Sequence, residues 1–183
     1  MRLNRSDREV FAVGSLAFSL VALVLAFAAL VTAARYDSRS SATNKRLDKL
    51  VSAGVIGTTA SVTLQEFSIA VHPGLVQSGN VTLTVANTGS ITHELVIVRA
   101  ASASALPRVK KAGERSVGAV NEEAIAEADK MGETGDVPAR TTVTKTLDLP
   151  PGTYVMFCNI DNKSSGSVLN HFTHGMVATL VVV

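Results

Sequence analysis

The sequence has little cysteine, few aromatic residues and almost no excess of charge. Among its 183 residues there are one cysteine, no tryptophan and 4% aromatic residues. With Cys158 alone, the chain can form neither an intrachain disulfide nor a CxxC redox pair nor a cysteine-rich zinc cluster. The formal net charge is only +2, so the chain lacks the basic surface that is typical of a nucleic-acid-binding protein. Because 46% of its residues are hydrophobic, the chain is not expected to be disordered. These absences predict a globular protein without a nucleic-acid partner.

The motifs of the common hydrolases and nucleotide-binding enzymes are also absent. The sequence contains no GxSxG nucleophile motif, no GxxxxGK(S/T) phosphate loop and no HExxH zinc motif. We therefore expect neither an enzyme nor a small-molecule substrate, and any catalysis would depend on another chain.

One long hydrophobic run lies near the N-terminus. No charged side chain occurs in Val10–Ala34, and a helix of that length covers a hydrocarbon core of about 30 Å. A secretory signal peptide is the competing interpretation, because small residues end the run and arginines precede it. Signal h-regions usually run about 7–15 residues, so we expect a short tail at 1–9 and an uncleaved transmembrane anchor at 10–34.

Beyond the anchor the composition changes twice. Residues 35–59 are polar and predict a stalk, with a short helix near Lys45–Val51. From residue 60 to residue 183, turn residues separate short β-type runs, and alternation is clearest in Val81–Val85. These runs predict an all-β domain, a Greek-key β-sandwich. The predicted strands are Ser61–Glu66, Phe67–Val71, Asn80–Asn87, Glu94–Arg99, Thr141–Leu147, Thr153–Asn159 and Met176–Val183.

The stretch between Leu106 and Ala139 interrupts the β-pattern. It is charged and contains the helix-favouring block Glu122–Lys130. We expect a helical excursion between two strands, with a helix near residues 119–131.

Four residues of metal-ligating type fall at the ends of predicted strands, namely His93, Cys158, His171 and Met176. A thiolate, two imidazoles and a weak axial thioether form the trigonal site that holds copper for electron transfer, although zinc would also bind such donors. The four side chains can meet at one end of the sandwich. Two alternatives stay open: Met176 as core filling, and His174 in place of His171. Glu94 and Asn159 flank ligands and are candidates for hydrogen bonds around the metal.

Three segments together resemble the cupredoxins, the family of plastocyanin and azurin. They are Asn87–His93 with the pattern N-x-G-x-x-x-H, the PPGTYVMFC stretch ending at Cys158, and the HFTHGM stretch at 171–176. The resemblance implies His93, Cys158, His171 and Met176 as ligands of one type 1 copper ion, with His174 a spacer. Twelve residues separate Cys158 from His171, whereas small family members have only a few, and this affects exposure, partner surface and potential more than ligation.

The resemblance also implies a function. Protein side chains fill the coordination positions, which suits outer-sphere electron transfer, and His171 would lie nearer the surface as the electron port. Cupredoxins work outside the cytoplasm, so we expect a single-pass cell-membrane protein whose C-terminal domain meets membrane-bound, periplasmic or extracellular redox proteins. Basic residues flank both ends of the anchor, so the positive-inside rule leaves its orientation open. The alternatives are a copper-storage or copper-delivery protein and a metal-free sandwich that binds another protein.

Overall fold

The computed structural model describes residues 40–183 except 112, 114, 115, 165 and 166. The predicted tail at 1–9 and anchor at 10–34 lie outside the described residues, and none of the helices described is long and apolar enough to cross a membrane. Residues 40–52 form a helix, longer at both ends than the one expected near Lys45–Val51. It stops before Gly54, whose φ of +68° suits the left-handed turn that ends a helix.

The chain forms two compact units with a boundary after Leu50, and the second unit, Val51–Val183, contains the β-structure. Each of the seven predicted runs overlaps a strand, and four further strands were not predicted, namely Leu75–Val76, Lys130–Glu133, Asp161–Ser164 and Ser167–Asn170. The strands are β1 Thr59–Gln65, β2 Ser68–His72, β3 Leu75–Val76, β4 Gly79–Asn87, β5 Val96–Arg99, β6 Lys130–Glu133, β7 Thr142–Leu149, β8 Gly152–Phe157, β9 Asp161–Ser164, β10 Ser167–Asn170 and β11 Val177–Val182. Short 3-10 helices span Ala103–Ala105, Glu122–Ala124, Glu127–Asp129 and Phe172–His174.

Two sheets form the domain. One has the strand order β2-β1-β4-β7 and the other β3-β11-β8-β5-β6, while β9 and β10 form a separate hairpin. The chain passes repeatedly from one sheet to the other, because β3 and β4, β4 and β5, β6 and β7, and β7 and β8 lie in different sheets. The domain is therefore all-β, as the sequence predicted.

The hydrophobic core lies between the sheets. Alternate residues of β4, Val81, Leu83 and Val85, are completely buried and share one cluster with Met156 of β8 and Leu180 of β11. Because side chains alternate across a strand, this periodicity places one face of each sheet against the other. The sandwich thus supplies a rigid frame for the loops at its ends.

The helix expected near residues 119–131 is wrong. This stretch contains two short 3-10 helices and then β6, which pairs with β5. Val120 and Ile125 are buried in one cluster, although a helix would point residues five apart in different directions. Packing of these two side chains and pairing of β6 therefore override the helix propensity of the acidic block.

Candidate metal centre

The three C-terminal predicted ligands, Cys158, His171 and Met176, each lie next to the end of a strand. Cys158 follows β8 directly, and Met176 precedes β11, which pairs with β8. The Cys158 amide donates to the Met176 carbonyl oxygen at 3.2 Å, and the Met176 amide donates to the His171 carbonyl oxygen at 3.1 Å. Gly175, with a φ of +102°, makes the turn that directly precedes Met176. Strand pairing therefore brings the C-terminal ligands together.

The segment Asn87–His93 carries the first histidine, and Asn87 folds it. The side chain of the buried Asn87 makes three hydrogen bonds. Its Nδ2 donates to the carbonyl oxygens of Ile91 and Val137, both at 2.8 Å, and its Oδ1 accepts from the Gly89 backbone amide at 2.9 Å. His93 and Val137 exchange two backbone hydrogen bonds. Asn87-Thr88-Gly89 is a turn sequence, and the structure shows that the Asn87 side chain itself holds this turn.

Three of the predicted ligands converge. The Nδ1 atoms of His93 and His171 are 3.1 Å apart, and Cys158 Sγ lies 3.2 Å from His171 Nδ1 and 4.0 Å from His93 Nδ1. All three side chains are completely buried. Metal bonds of about 2.0–2.3 Å to nitrogen and sulfur are compatible with donors this close to one another. A thiolate and two imidazoles in this arrangement fit one type 1 copper ion.

Burial sets the protonation of these groups in the metal-free protein. It raises the pKa of the Cys158 thiol to about 11, although the Glu94 amide donates to Sγ at 3.4 Å and acts against this rise. Burial, with help from nearby His93, lowers the pKa of His171 to about 4, and burial also lowers the pKa of His93. Neutral imidazoles are ready to bind a metal, whereas the thiol must first release its proton.

Met176 and His174 occupy different environments. Met176 is completely buried and belongs to the same core cluster as Cys158, and its backbone bonds to Cys158 and His171 place it beside the centre. Its role as the axial ligand stays a prediction. His174 is exposed, and its Nδ1 lies 2.8 Å from the Asn170 carbonyl oxygen, outside the cluster that contains His171.

The segment between Cys158 and His171 forms the β9–β10 hairpin, and it changes the surroundings of His171. Asn162 of β9 places its Nδ2 2.9 Å from His171 Nε2, and the Phe67 ring meets the imidazole at 5.2 Å between centroids. His171 is consequently as buried as His93, so its expected position nearer the surface is wrong. Asn162 of the hairpin and Phe67, which precedes β2, therefore both cover the imidazole of His171.

Buried polar groups tie the loops to one another. The Asn159 amide donates to Glu94 Oε1 at 2.9 Å, and the Asn159 side chain both donates to and accepts from the backbone of Val120. Asn170 donates to the Asn159 carbonyl oxygen at 2.9 Å. Asn159 therefore connects the cysteine loop both with Glu94, the residue after His93, and with the stretch before β6.

Glu66 is a further residue at the centre, and the sequence analysis did not identify it. Its carboxylate accepts hydrogen bonds from the Ser90 amide and hydroxyl and from the Ile91 amide, and Oε1 lies 3.9 Å from His93 Nε2. Hydrogen bonds from its own backbone and from Ser90 and Ile91 lower the pKa of Glu66 to about 2, against the opposing effect of burial. No local motif marks this glutamate, since it lies 27 positions before His93.

Comparisons with known proteins give likenesses among solved structures only. No family model and no curated protein sequence matches the chain. The chain is similar to auracyanin from the photosynthetic bacterium Roseiflexus castenholzii, with 22% identity and a TM-score of 0.48 over 70% of this chain and 98% of that one. It is also similar to auracyanin B (20%, TM-score 0.46, 68% and 88%) and to auracyanin A, a "blue" copper protein from Chloroflexus aurantiacus (18%, TM-score 0.42, 68% and 97%). The site is defined by its own contacts among His93, Cys158 and His171.

Proposed function

We propose that the chain is a membrane-anchored type 1 (blue) copper protein that carries single electrons between redox partners outside the cytoplasm. The observation that carries this proposal is the convergence of two Nδ1 atoms and one Sγ atom within a buried cluster. His93, Cys158 and His171 would hold the ion, with Met176 as a weak axial ligand. Bound copper supplies a one-electron oxidation and reduction.

The protein's own residues favour electron transfer over bond-making chemistry. The three donors are completely buried, so water and substrates have no direct approach to the ion. Each donor follows or precedes a strand or hairpin that fixes its backbone, and a rigid donor set limits movement when the charge of the ion changes. Low reorganisation of this kind suits outer-sphere transfer between proteins.

The location and the partners are proposed from the sequence. The uncharged run Val10–Ala34 is long enough to anchor the chain in the cell membrane. A tether would keep the copper domain in the same surface layer as membrane-bound, periplasmic or extracellular redox proteins. An extracytoplasmic domain also suits a copper thiolate, since cytoplasmic thiols compete for copper.

Copper storage or delivery is the second candidate, and the burial of the donors weighs against it. A delivery site needs accessible donors so that the ion passes readily to another ligand. Here none of the three donor residues is exposed. We therefore expect release of copper to a chelator to be slow compared with electron exchange.

Spectroscopy of the copper-loaded protein tests the proposal. The full chain, purified in detergent and loaded with Cu(II), should show an intense thiolate-to-copper absorption band and a narrow copper hyperfine splitting. Cys158→Ser should abolish the band, whereas His174→Ala, a neighbouring histidine outside the cluster, should retain it. A weak tetragonal signal with rapid loss of copper to a chelator would favour copper handling. Absence of copper binding would overturn the proposal.

A further inference from the structure

The two histidines of the centre differ at the ring nitrogen that faces away from the cluster. His171 Nε2 meets the Asn162 side-chain amide at 2.9 Å, but His93 Nε2 is buried and has no hydrogen-bond partner among the residues that the structure describes. Buried polar atoms in native proteins are nearly always paired, so an unpaired one calls for a specific cause. The Glu66 carboxylate lies near this nitrogen, with Oε1 3.9 Å from His93 Nε2.

The loop that carries His93 also fixes this carboxylate. Ser90 and Ile91 hold Glu66 Oε1 by three hydrogen bonds, and both lie within Asn87–His93. The acid and the imidazole are therefore positioned by one short segment, which Asn87 folds. A glutamate held only by solvent would not keep its charge at one end of the ring.

Gly89 leaves the space that the carboxylate occupies. A Cβ atom at this position would lie 2.6 Å from Glu66 Oε2 and 2.7 Å from Oε1, closer than such atoms approach. The atoms in conflict are the end of a flexible side chain, so an alanine at position 89 would displace the carboxylate without removing its charge. Gly89 thus offers a way to separate the position of the charge from its presence.

We propose, building on the copper function above, that Glu66 is a positioning residue that holds His93 as the Nε2–H tautomer and stabilises the oxidised ion. At 3.9 Å the interaction is electrostatic, because the distance is longer than a hydrogen bond. A negative charge beside Nε2 favours the hydrogen there and leaves Nδ1, which lies 3.1 Å from His171 Nδ1 and 4.0 Å from Cys158 Sγ, with a free lone pair for a metal. A carboxylate behind a ligating histidine also raises the basicity of the ligand.

The first experiment uses the metal-free full chain in detergent. Nitrogen-15 NMR of the histidine rings should show His93 as the Nε2–H tautomer, and Glu66→Gln and Gly89→Ala should each increase the Nδ1–H population. Asp148→Asn is the matched control, because it also removes one carboxylate, but at an exposed position. Asp148 lies opposite Asn80 in the β4–β7 pairing, at the other end of β4 from Asn87. Unchanged His93 tautomers in both test variants would overturn the proposal. Circular dichroism confirms folding, and Gly89→Ala keeps the test valid if Glu66→Gln does not fold.

The second experiment measures the midpoint potential of the copper-loaded protein. Glu66→Gln should weaken the preference for Cu(II) about tenfold, a positive shift of about 59 mV for one electron, whereas Asp148→Asn should shift it much less. Equal shifts in the two variants would contradict the proposed role of Glu66. If the wild-type protein lacks a type 1 spectrum, the copper function fails, while the NMR result still decides whether Glu66 sets the tautomer.

Discussion

His93 and His171 are held by different parts of the molecule. His93 ends a segment that follows β4, and two backbone hydrogen bonds with Val137 fix it at the end of the sandwich. His171 follows the β9–β10 hairpin, and the strands of this hairpin pair with each other and with neither described sheet. His93 is therefore held by the sandwich itself, whereas His171 follows a hairpin outside the two main sheets, and Asn162 of this hairpin contacts it.

Because of this difference, variants near His93 and variants in the hairpin should affect the protein in different ways. Residues that position His93 also satisfy buried backbone groups of the sandwich, so their loss should affect folding and metal binding together. Residues of the hairpin contact the edge of one imidazole, so their loss should affect the ligand environment with little effect on folding. Variants of the residues that position His93 and of the hairpin residues test this difference directly.

The largest effect on stability is expected from Asn87→Ala. This change removes a side-chain amide that makes three hydrogen bonds, and the Gly89 N–H and the Ile91 carbonyl oxygen lose this partner, so the free energy of unfolding should fall by about 2–4 kcal/mol. Urea unfolding measures the loss. Asn80→Ala, at an exposed position of the same strand, is the control and should change stability by less than about 0.5 kcal/mol. Equal effects would remove the distinction between frame and surface.

Stability of the metal-free protein should also depend on pH at both ends of the range. The pKa of His171 is lowered from 6.5 to about 4, so the unfolded chain binds protons first, and the free energy of unfolding falls as pH drops from about 6.5 to about 4. The pKa of Cys158 is raised from 9.0 to about 11, so the unfolded thiol ionises first and stability falls between about pH 9 and 11.

Urea unfolding across this pH range checks the expectation. His171→Ala should reduce the acidic loss, which His93 shares, and leave the alkaline loss in place. Bound copper should remove the alkaline loss, because it holds the sulfur as a thiolate. A stability that stays constant from pH 6.5 to pH 4 would contradict burial as the cause of the lowered pKa values.

A smaller effect on stability is expected from Met176→Leu. Met176→Leu keeps the volume of the buried side chain, so the protein should fold and bind copper, while loss of a thioether ligand should raise the midpoint potential. Redox titration measures the shift. Met131→Leu, the same exchange at a half-buried position of β6, should leave the potential unchanged. Loss of all copper from Met176→Leu would show that this residue is needed for the structure of the site.

The smallest effect is expected from Asn162→Ala in the hairpin. It removes one partly buried contact to His171 Nε2, so the free energy of unfolding should change by less than about 1 kcal/mol. The absorption band of the copper-loaded protein should remain, because Nδ1 rather than Nε2 faces Cys158. A loss of stability as large as that of Asn87→Ala would show that the hairpin is part of the folding frame.

Local patterns identified much of the β-structure and the order of the candidate ligands. Val81, Leu83 and Val85 alternate with polar residues, and period-two alternation depends only on which side of a strand each residue occupies. Glu66 could not be found in this way, since its relation to His93 arises from the pairing of distant segments. The helix expected near residues 119–131 was wrong for a similar reason, because propensity lacks information on the packing of Val120 and Ile125.

Residue type and alternation are local properties, so the amino-acid sequence alone specifies an all-β domain and a set of thiol, thioether and imidazole donors near predicted strand ends. The folded arrangement was needed to show that the Nδ1 atoms of His93 and His171 and the Sγ atom of Cys158 meet, that His171 is buried beside a hairpin, and that Glu66 lies behind His93. These features depend on contacts between residues far apart in the chain, and strand pairing together with buried hydrogen bonds brings those residues to one place.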